Sequence, residues 1–193
     1  MIHTPSPAGS ARNQGFTLVE MLVTLVVAAI MLAFAVPTFS RLLMNNSLSS
    51  QTNEMLAGLK LARSEAARRG IPVALRTESS FEAGWKVITD EDGDGASPST
   101  ATEKDGTPLR EQGAATAGVT IKRVDFADDA YTDATGTGSD FIVFNARGGV
   151  AATSFFRICS STITSIPGRI IQVNVVGKVA VISSNAPCTP SSD

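Results

Sequence analysis

The chain has 193 residues and a formal net charge of −2, a length that suits one folded domain beyond any membrane segment. Its only histidine is His3, so catalytic triads and zinc sites that depend on histidine are not expected in the rest of the chain. The charge is uneven, because residues 76–140 hold 14 acidic and 6 basic side chains, whereas residues 141–193 are mildly basic. Two interpretations stay open: guidance of subunit contacts, and an ordinary solvated surface.

An uncharged apolar run begins directly after a short polar segment at the start of the chain. Between Phe16 and Ser40 the only ionisable side chain is Glu20. A helix over this stretch is long enough to cross a bilayer core, which takes ~20 residues. A lone carboxylate costs ~3 kcal/mol or more at the bilayer centre, so Glu20 should have a partner. The segment before Gly15 carries Arg12 and no acid, which favours a cytoplasmic N-terminus.

The helical pattern continues past the apolar run. Pro37 interrupts it, and we expect a kink there rather than an end. Beyond it, apolar residues recur at helical spacing at Leu48, Met55, Leu59, Ala62 and Ala66. The face opposite is expected to carry Gln51, Asn53, Lys60 and Arg68. Gly70 can take the left-handed cap and Pro72 blocks continuation, so one helix is predicted from about Phe16 to Arg69.

After Pro72 the sequence changes to short runs rich in β-branched and aromatic residues. The predicted strands are Val73–Thr77, Gly84–Asp90, Val119–Val124, Asp140–Asn145, Ser154–Ser160, Arg169–Val176 and Lys178–Ser183. Gly177 marks a bend between the last two, and 91–118 is predicted to be a mobile surface loop. The predicted fold class is therefore α+β, with a long N-terminal helix packed on an antiparallel β-sheet domain.

The two cysteines are Cys159 and Cys188. If the domain is translocated to an oxidising compartment, a disulfide between them is the natural interpretation, worth roughly 3 kcal/mol. A catalytic or metal-binding pair is the alternative, and no neighbouring residues support it.

Asp90, Asp92 and Asp94 alternate before Gly95, as at the opening of an EF-hand calcium loop. The twelfth position is Ala101, which lacks the bidentate glutamate that such a loop requires. We therefore interpret the segment as a hairpin tip and expect no metal site and no cofactor. Trp85, which precedes it, is interpreted as a core anchor.

The junction Gly15-Phe16-Thr17-Leu18-Val19-Glu20, with the apolar run behind it, resembles the class III leader of type IV pilins and type II secretion pseudopilins. In that family a prepilin peptidase cuts after the glycine and the new N-terminal phenylalanine is methylated. The resemblance implies processing between Gly15 and Phe16 and an assembly role for Glu20, which would pair with the methylated amine of a neighbouring Phe16. An ordinary signal anchor is the alternative, and a secretory signal peptide fits worse because no small-x-small site closes the run.

Three further segments resemble the FimT/FimU minor pilins and GspH pseudopilins: the ARSEA helix end at 62–66, the GW-x-V hairpin at 84–95 and the F-x-x-x-G turn at 144–149. Glu65 and Arg69 also lie four residues apart, the spacing expected of an ordinary helix ion pair. The resemblance implies the type IV pilin fold, divided into a leader (1–15), a transmembrane segment (16–36), a periplasmic half of the helix (37–70) and a β-rich globular domain (71–193).

The implied function is structural rather than enzymatic. The chain would be a minor type IV pilin that joins or primes assembly of a type IV pilus, with a GspH-like minor pseudopilin of type II secretion as the alternative. It would wait in the inner membrane as a single-pass protein with a periplasmic C-terminal domain. Its partners would be prepilin peptidase and other pilin or pseudopilin subunits.

A different kind of function, DNA binding by the pilin, is a further hypothesis. Some FimT proteins bind DNA through a Gly-Arg-x-Arg element near the C-terminus, and the matching place here is 177–180, which keeps only Lys178 as a base. Arg169 lies upstream of it. Phosphate contacts from these two side chains would be weak and salt-sensitive, and no aromatic residue lies between them to stack on bases.

Overall fold

The helix and strands follow the sequence pattern closely. The computed structural model describes residues 15–77, 79–89, 108–127, 130–133 and 141–188, with side chains left out of the description at 126–127, 130–133 and 183–187. Its elements, in chain order, are α1 (Leu18–Arg69), β1 (Val73–Arg76), β2 (Trp85–Thr89), β3 (Arg110–Gln112), β4 (Val119–Ala127), β5 (Ala130–Asp133), β6 (Phe141–Phe144), β7 (Ser154–Ser160), β8 (Pro167–Val173) and β9 (Val179–Pro187). Two compact units divide the chain, Met1–Ser40 and Arg41–Asp193.

Helix α1 begins and ends where its capping residues allow. It starts two residues later than predicted, because Thr17 caps it: the Thr17 hydroxyl accepts the backbone N–H of Glu20 at 3.2 Å. Pro37 lies inside the helix, which continues past it. At the other end Gly70 adopts the left-handed conformation, with φ of 70°, and donates its N–H to the carbonyl of Ala66 at 2.9 Å. The predicted glycine cap is confirmed.

The second half of α1 forms one wall of the core. The predicted apolar face is confirmed, since all five of its residues are fully buried: Leu48, Met55, Leu59, Ala62 and Ala66. The expectation for Gln51 was wrong, because this side chain is buried and donates its amide to the hydroxyl of Thr116 at 3.3 Å. A buried side-chain amide is tolerated when it is hydrogen-bonded. The buried face of α1 is therefore wider than the pattern of apolar residues predicts.

The strands form two antiparallel sheets, within the part of the chain that the structure describes. The first has the order β3-β2-β1-β6 and the second β5-β4-β7-β8-β9. Their registers bring large apolar side chains inward, for example Leu75 opposite Val87 in the first sheet and Phe156 opposite Ile171 in the second. Side chains from α1 and from both sheets share one core cluster. The predicted α+β class is confirmed.

Several strand bounds differ from the prediction, and the structure departs from it most clearly at three places. The described part of the predicted loop contains β3, a short edge strand in which Gln112 pairs with Trp85 of β2. Strand β5 was not predicted at all. Val175 and Val176 lie in a turn rather than at the end of a strand, because Gly177 takes φ of 76° and donates its N–H to the carbonyl of Asn174 at 2.7 Å.

Trp85 anchors the first sheet to the helix. It is 3% exposed, and its ring lies over Gly58 of α1 so closely that a Cβ at Gly58 would collide with it. The guanidinium carbon of Arg110 sits 5.7 Å from the ring centroid, and Arg110 also forms an ion pair with Glu54 of the helix. The interpretation of Trp85 as a core residue is confirmed.

Candidate functional site

The start of α1 combines an exposed apolar surface with a single acid. Phe16 is 78% exposed, and the large apolar side chains that follow it are also exposed, among them Leu18, Val19, Leu25, Met31 and Phe34. Among the described residues this is the one helix long and apolar enough to cross a membrane. A surface of this kind requires lipid or other protein to cover it, since soluble proteins rarely leave so much contiguous apolar area in water.

Glu20 lies in the first turn of this helix and is exposed. Thr17 and Glu20 have the spacing of a capping box, and the half of it that the structure shows is the bond from the Glu20 N–H to the Thr17 hydroxyl. A carboxylate in the first turn is also favoured by the helix dipole. Glu20 therefore stabilises the start of the helix locally. This role was not predicted, although the sequence pattern Thr-x-x-Glu at residues 17–20 indicates a capping box. Its carboxylate has no hydrogen-bond or ion-pair partner among the described residues.

The disulfide lies at one end of the second sheet. Cys159 of β7 is bonded to Cys188 just after β9, with 5.7 Å between the Cα atoms. Gly168 of β8 lies beneath the bond, and a Cβ there would stand 2.5 Å from the Cys188 sulfur and 2.7 Å from the Cys159 sulfur. The predicted pairing is present, and it fastens the end of β9 to the centre of its sheet.

The two residues considered for DNA binding are not brought together. Arg169 of β8 turns toward the helix, where it donates to the hydroxyl of Ser49 at 2.6 Å and to the amide oxygen of Asn45 at 3.1 Å. Lys178 is exposed at the far end of the β8–β9 hairpin, across from Asn174. Asn174 is five positions beyond Arg169 along the chain, a distance of about 16 Å at ~3.3 Å per residue. Arg169 and Lys178 do not form one basic patch.

The end of α1 carries a charged cluster in which Glu65 accepts from two arginines. Arg68 lies 2.5 Å and Arg69 2.8 Å from the same carboxylate oxygen, so the predicted pair with Arg69 is confirmed and Arg68 joins it. The hydrogen bond from Arg68, and then that from Arg69, lower the pKa of Glu65 to about 2. The same contact with Glu65 raises the pKa of Arg68. These groups satisfy one another and offer no acid or base for catalysis near neutral pH.

The β8–β9 turn is held against the helix by a contact that the sequence did not reveal. Arg63 donates to the carbonyl of Val176 at 3.2 Å, and the backbone of Gly177 approaches that of Gly148 too closely for any side chain. The turn therefore presents Val175 and Val176, 53% and 64% exposed, on a fixed support. Such an exposed aliphatic pair is a candidate contact surface.

Two surface depressions lie on the described part of the globular unit. One, of about 290 Å³, lies beside the start of β2 and the end of β3. The other, of about 450 Å³, is a groove lined by Arg41, Leu42, Asn45, Ser165, Ile166 and Pro167. Over the described ranges no group of three or more His, Cys, Asp or Glu side chains comes together as a metal site would require. The aspartates at 90, 92 and 94 lie outside those ranges.

Comparisons with known proteins agree with the geometry. The model of a family described as type II transport protein GspH matches residues 51–177, and that of the prokaryotic N-terminal methylation motif matches residues 10–36. No curated protein matches the chain by sequence.

Among solved structures, the type IV minor pilin FimU of Pseudomonas aeruginosa strain PAO1 is similar in two crystal forms. The first has a TM-score of 0.55 at 20% identity, covering 76% of this chain and 96% of FimU. The second has a TM-score of 0.52 at 19% identity, covering 74% and 98%. The minor pseudopilin EpsH from the type 2 secretion system of Vibrio cholerae has a TM-score of 0.49 at 10% identity, covering 72% and 99%. The likeness to FimU shows the type IV pilin fold.

Proposed function

The chain belongs to the family of type II transport protein GspH and carries the N-terminal methylation motif, and we propose that it is a minor type IV pilin. It is made as a membrane-anchored precursor, is processed between Gly15 and Phe16, and then enters a pilus. The observation that carries the proposal is the exposed apolar surface from Phe16 to Val36, which holds one acid and needs lipid before assembly and neighbouring helices after it.

Processing at this position is supported by the local structure. Gly15 and Phe16 precede the first residue of α1 and are exposed, so the bond between them lies outside the helical hydrogen-bond ladder. A peptidase that must place this bond in its active site gains from a segment that requires no helix unwinding. The new N-terminus would be Phe16, directly before the capping residue Thr17.

Glu20 is proposed to serve assembly as well as the helix start. A carboxylate without a partner is costly inside a bilayer or a helix bundle, and the methylated amine of Phe16 in an adjacent subunit supplies the opposite charge. The bond that fixes Thr17 to the Glu20 backbone leaves the carboxylate available for this contact.

We further propose that residues 16–36 span the inner membrane and that the remainder of the chain, including the disulfide, faces the periplasm. Arg12 before the apolar run supports this orientation, as does the cysteine pair, since disulfides persist in oxidising compartments. Prepilin peptidase and other pilin subunits are the partners that this arrangement needs.

A pseudopilin of type II secretion is the second candidate, supported by the description of the matching family. Deletion of the gene in its host, with complementation, separates the two. A minor pilin predicts loss of surface pili and of pilus-dependent motility with normal export of secreted enzymes, whereas a pseudopilin predicts the reverse. Unchanged pili and unchanged export would contradict both.

DNA binding has less support than either the minor pilin or the pseudopilin function. Arg169 is engaged by the helix, and Lys178 lies at the other end of the hairpin. A gel-shift titration of the full chain against salt tests it: the structural function predicts no retarded DNA at physiological salt, and a retarded complex with a steep salt dependence would revive DNA binding.

A further inference from the structure

The groove beside the start of the globular unit is rich in hydrogen-bond donors. Arg41 is exposed and has no hydrogen-bond or ion-pair partner among the described residues. The amide oxygen of Asn45 is occupied by Arg169, which leaves the Asn45 amide nitrogen as a donor. Ser165 adds an exposed hydroxyl on the opposite wall. No acidic residue lines the groove, so its chemistry suits an anion with several acceptor oxygens.

A second positively charged side chain, Arg169, contacts Asn45 of the groove. The guanidinium of Arg169 donates to two neutral oxygens, those of Ser49 and Asn45, and neither of them cancels its charge. Arg169 therefore adds a second positive charge next to Asn45 of the groove, and two hydrogen bonds hold it there.

The groove also has an apolar side. Leu42 and Ile166 line it, and Leu42 is 54% exposed, with Leu43 beside it at 50%. An inorganic anion would use the arginine but gain nothing from the leucine. A phospholipid uses both, because its phosphate accepts hydrogen bonds and the first part of its acyl chains covers apolar side chains.

The position of the groove along the sequence points to the same ligand. Arg41 follows Val36, the last residue of the proposed span, by five residues, which is about 7.5 Å of helix. The headgroup region on each side of a bilayer is roughly 5–8 Å thick. An arginine at this distance reaches the phosphate level of the outer leaflet of the inner membrane.

We propose that this groove binds the headgroup of an anionic phospholipid, with Arg41, Asn45 and Ser165 contacting the phosphate. The inference rests on the proposed function, because it needs the preceding helix to span the membrane. While the subunit waits for assembly, the bound lipid tethers the globular unit to the membrane.

Native mass spectrometry of the full chain in mild detergent tests the proposal. The protein is offered equal amounts of phosphatidylglycerol and phosphatidylethanolamine with identical acyl chains, and the ratio of bound lipids is measured. The wild type is expected to retain phosphatidylglycerol in preference, and Arg41→Gln to lower that preference about fivefold, the factor typical of one basic residue near an anionic membrane surface. The matched control is Arg147→Gln, which removes an exposed arginine of the turn after β6 and is expected to behave as wild type.

Equal retention of both lipids by the wild type would overturn the proposal, as would equal loss of preference in both variants. Displacement of phosphatidylglycerol by excess inorganic phosphate would also overturn it, leaving a site for small anions. The same spectra report the N-terminus of the protein. An uncut chain made beside active prepilin peptidase contradicts the proposed function, whereas a processed chain with no lipid preference contradicts this inference alone.

Discussion

At the residue scale, the start of α1 shows how a local and an intermolecular role meet in one side chain. The backbone N–H of Glu20 is bound by the Thr17 hydroxyl, and the carboxylate lies in the first turn, where the helix dipole favours a negative charge. The cap itself needs only the backbone and a polar side chain, and the charge adds about 0.3–1 kcal/mol through the helix dipole, whereas the proposed pairing with a neighbouring amine depends entirely on the charge. The two can therefore be separated by substitution.

The first prediction separates them with Glu20→Gln, which keeps the capping-box residue type and removes the charge. Processing should be normal, because the scissile bond lies before the helix. Protein in the membrane should rise, since the variant has no carboxylate to bury, and protein in sheared fibres should fall by roughly tenfold or more, because losing one partner of a buried ion pair costs about 3–5 kcal/mol.

Thr17→Ala is the control for this experiment. It removes the cap at a cost of about 1 kcal/mol and keeps the carboxylate, so fibre incorporation should fall much less than in Glu20→Gln. Immunoblots of membrane and sheared fractions measure both. Equal fibre levels in Glu20→Gln and wild type would remove the pairing role.

The second prediction concerns Gly58. Any side chain here enters the ring of Trp85, so Gly58→Ala should lower the free energy of unfolding by about 1–2 kcal/mol despite the better helix propensity of alanine. Trp85 is the only tryptophan, and its fluorescence reports the unfolding directly. Gly113→Ala is the matched control, because a Cβ there meets nothing within 4 Å. A stability change in Gly58→Ala no larger than in the control would show that the indole can move aside.

At the scale of elements, the sequence specifies α1 and its buried face because a 3.6-residue period is written in the chain itself. It does not specify β3, whose residues Arg110–Gln112 are polar and form a strand only because β2 offers them a partner. The same holds for Gln51, which is buried because Thr116 receives its amide. These features depend on tertiary pairing, which local propensity does not encode.

The candidate site residues likewise divide into those that share a local sequence motif and those that are positioned by contacts between distant parts of the chain. Gly15, Phe16 and Glu20 could be proposed as site residues from the sequence because they are neighbours in one motif, which the family model for N-terminal methylation also matches. The hydrogen bond between Arg169 and Ser49 joins residues 120 positions apart, and no local sequence pattern predicts it. Arg169 was therefore considered for nucleic acid, whereas the structure places its guanidinium against the helix.

The third prediction is a titration at the end of α1. Because Arg68 and Arg69 hold the Glu65 carboxylate, its pKa should be about 2 in the folded protein, below the ordinary value of 4.5. A depressed pKa means that this contact stabilises the fold fully above pH 4.5 and is lost as the pH falls toward 2. Carbon NMR of the Glu65 carboxyl measures the midpoint, and Arg68→Gln should raise it. A midpoint near 4.5 in the wild type would mean that the contact does not persist in solution.

At the scale of the whole molecule, the disulfide and the apolar helix together describe a protein of two environments. The covalent link fastens β9 to the second sheet, and the exposed helix surface requires lipid or other subunits. The disulfide fits the proposed periplasmic position of the globular unit, and the exposed apolar surface fits the proposed membrane and fibre environments of the N-terminal helix.

The fourth prediction tests the disulfide. Thiol labelling of the unreduced, denatured chain should find neither Cys159 nor Cys188 free, and reduction should lower the free energy of unfolding by roughly 3 kcal/mol, as expected for a loop of this length. The double variant Cys159→Ser with Cys188→Ser should match the reduced protein. Two labelled thiols in protein recovered from the host would contradict the link.

Processing and entry into a fibre are tested together by the mass of the N-terminal peptide in the sheared surface fraction of the host. We expect a chain that begins at an N-methylated Phe16 and is recovered with the fibres, while a strain without prepilin peptidase holds the uncut form in its membrane. A chain that keeps its residues before Phe16 in the presence of active peptidase, and stays in the membrane fraction alone, would show that this protein is not a fibre subunit.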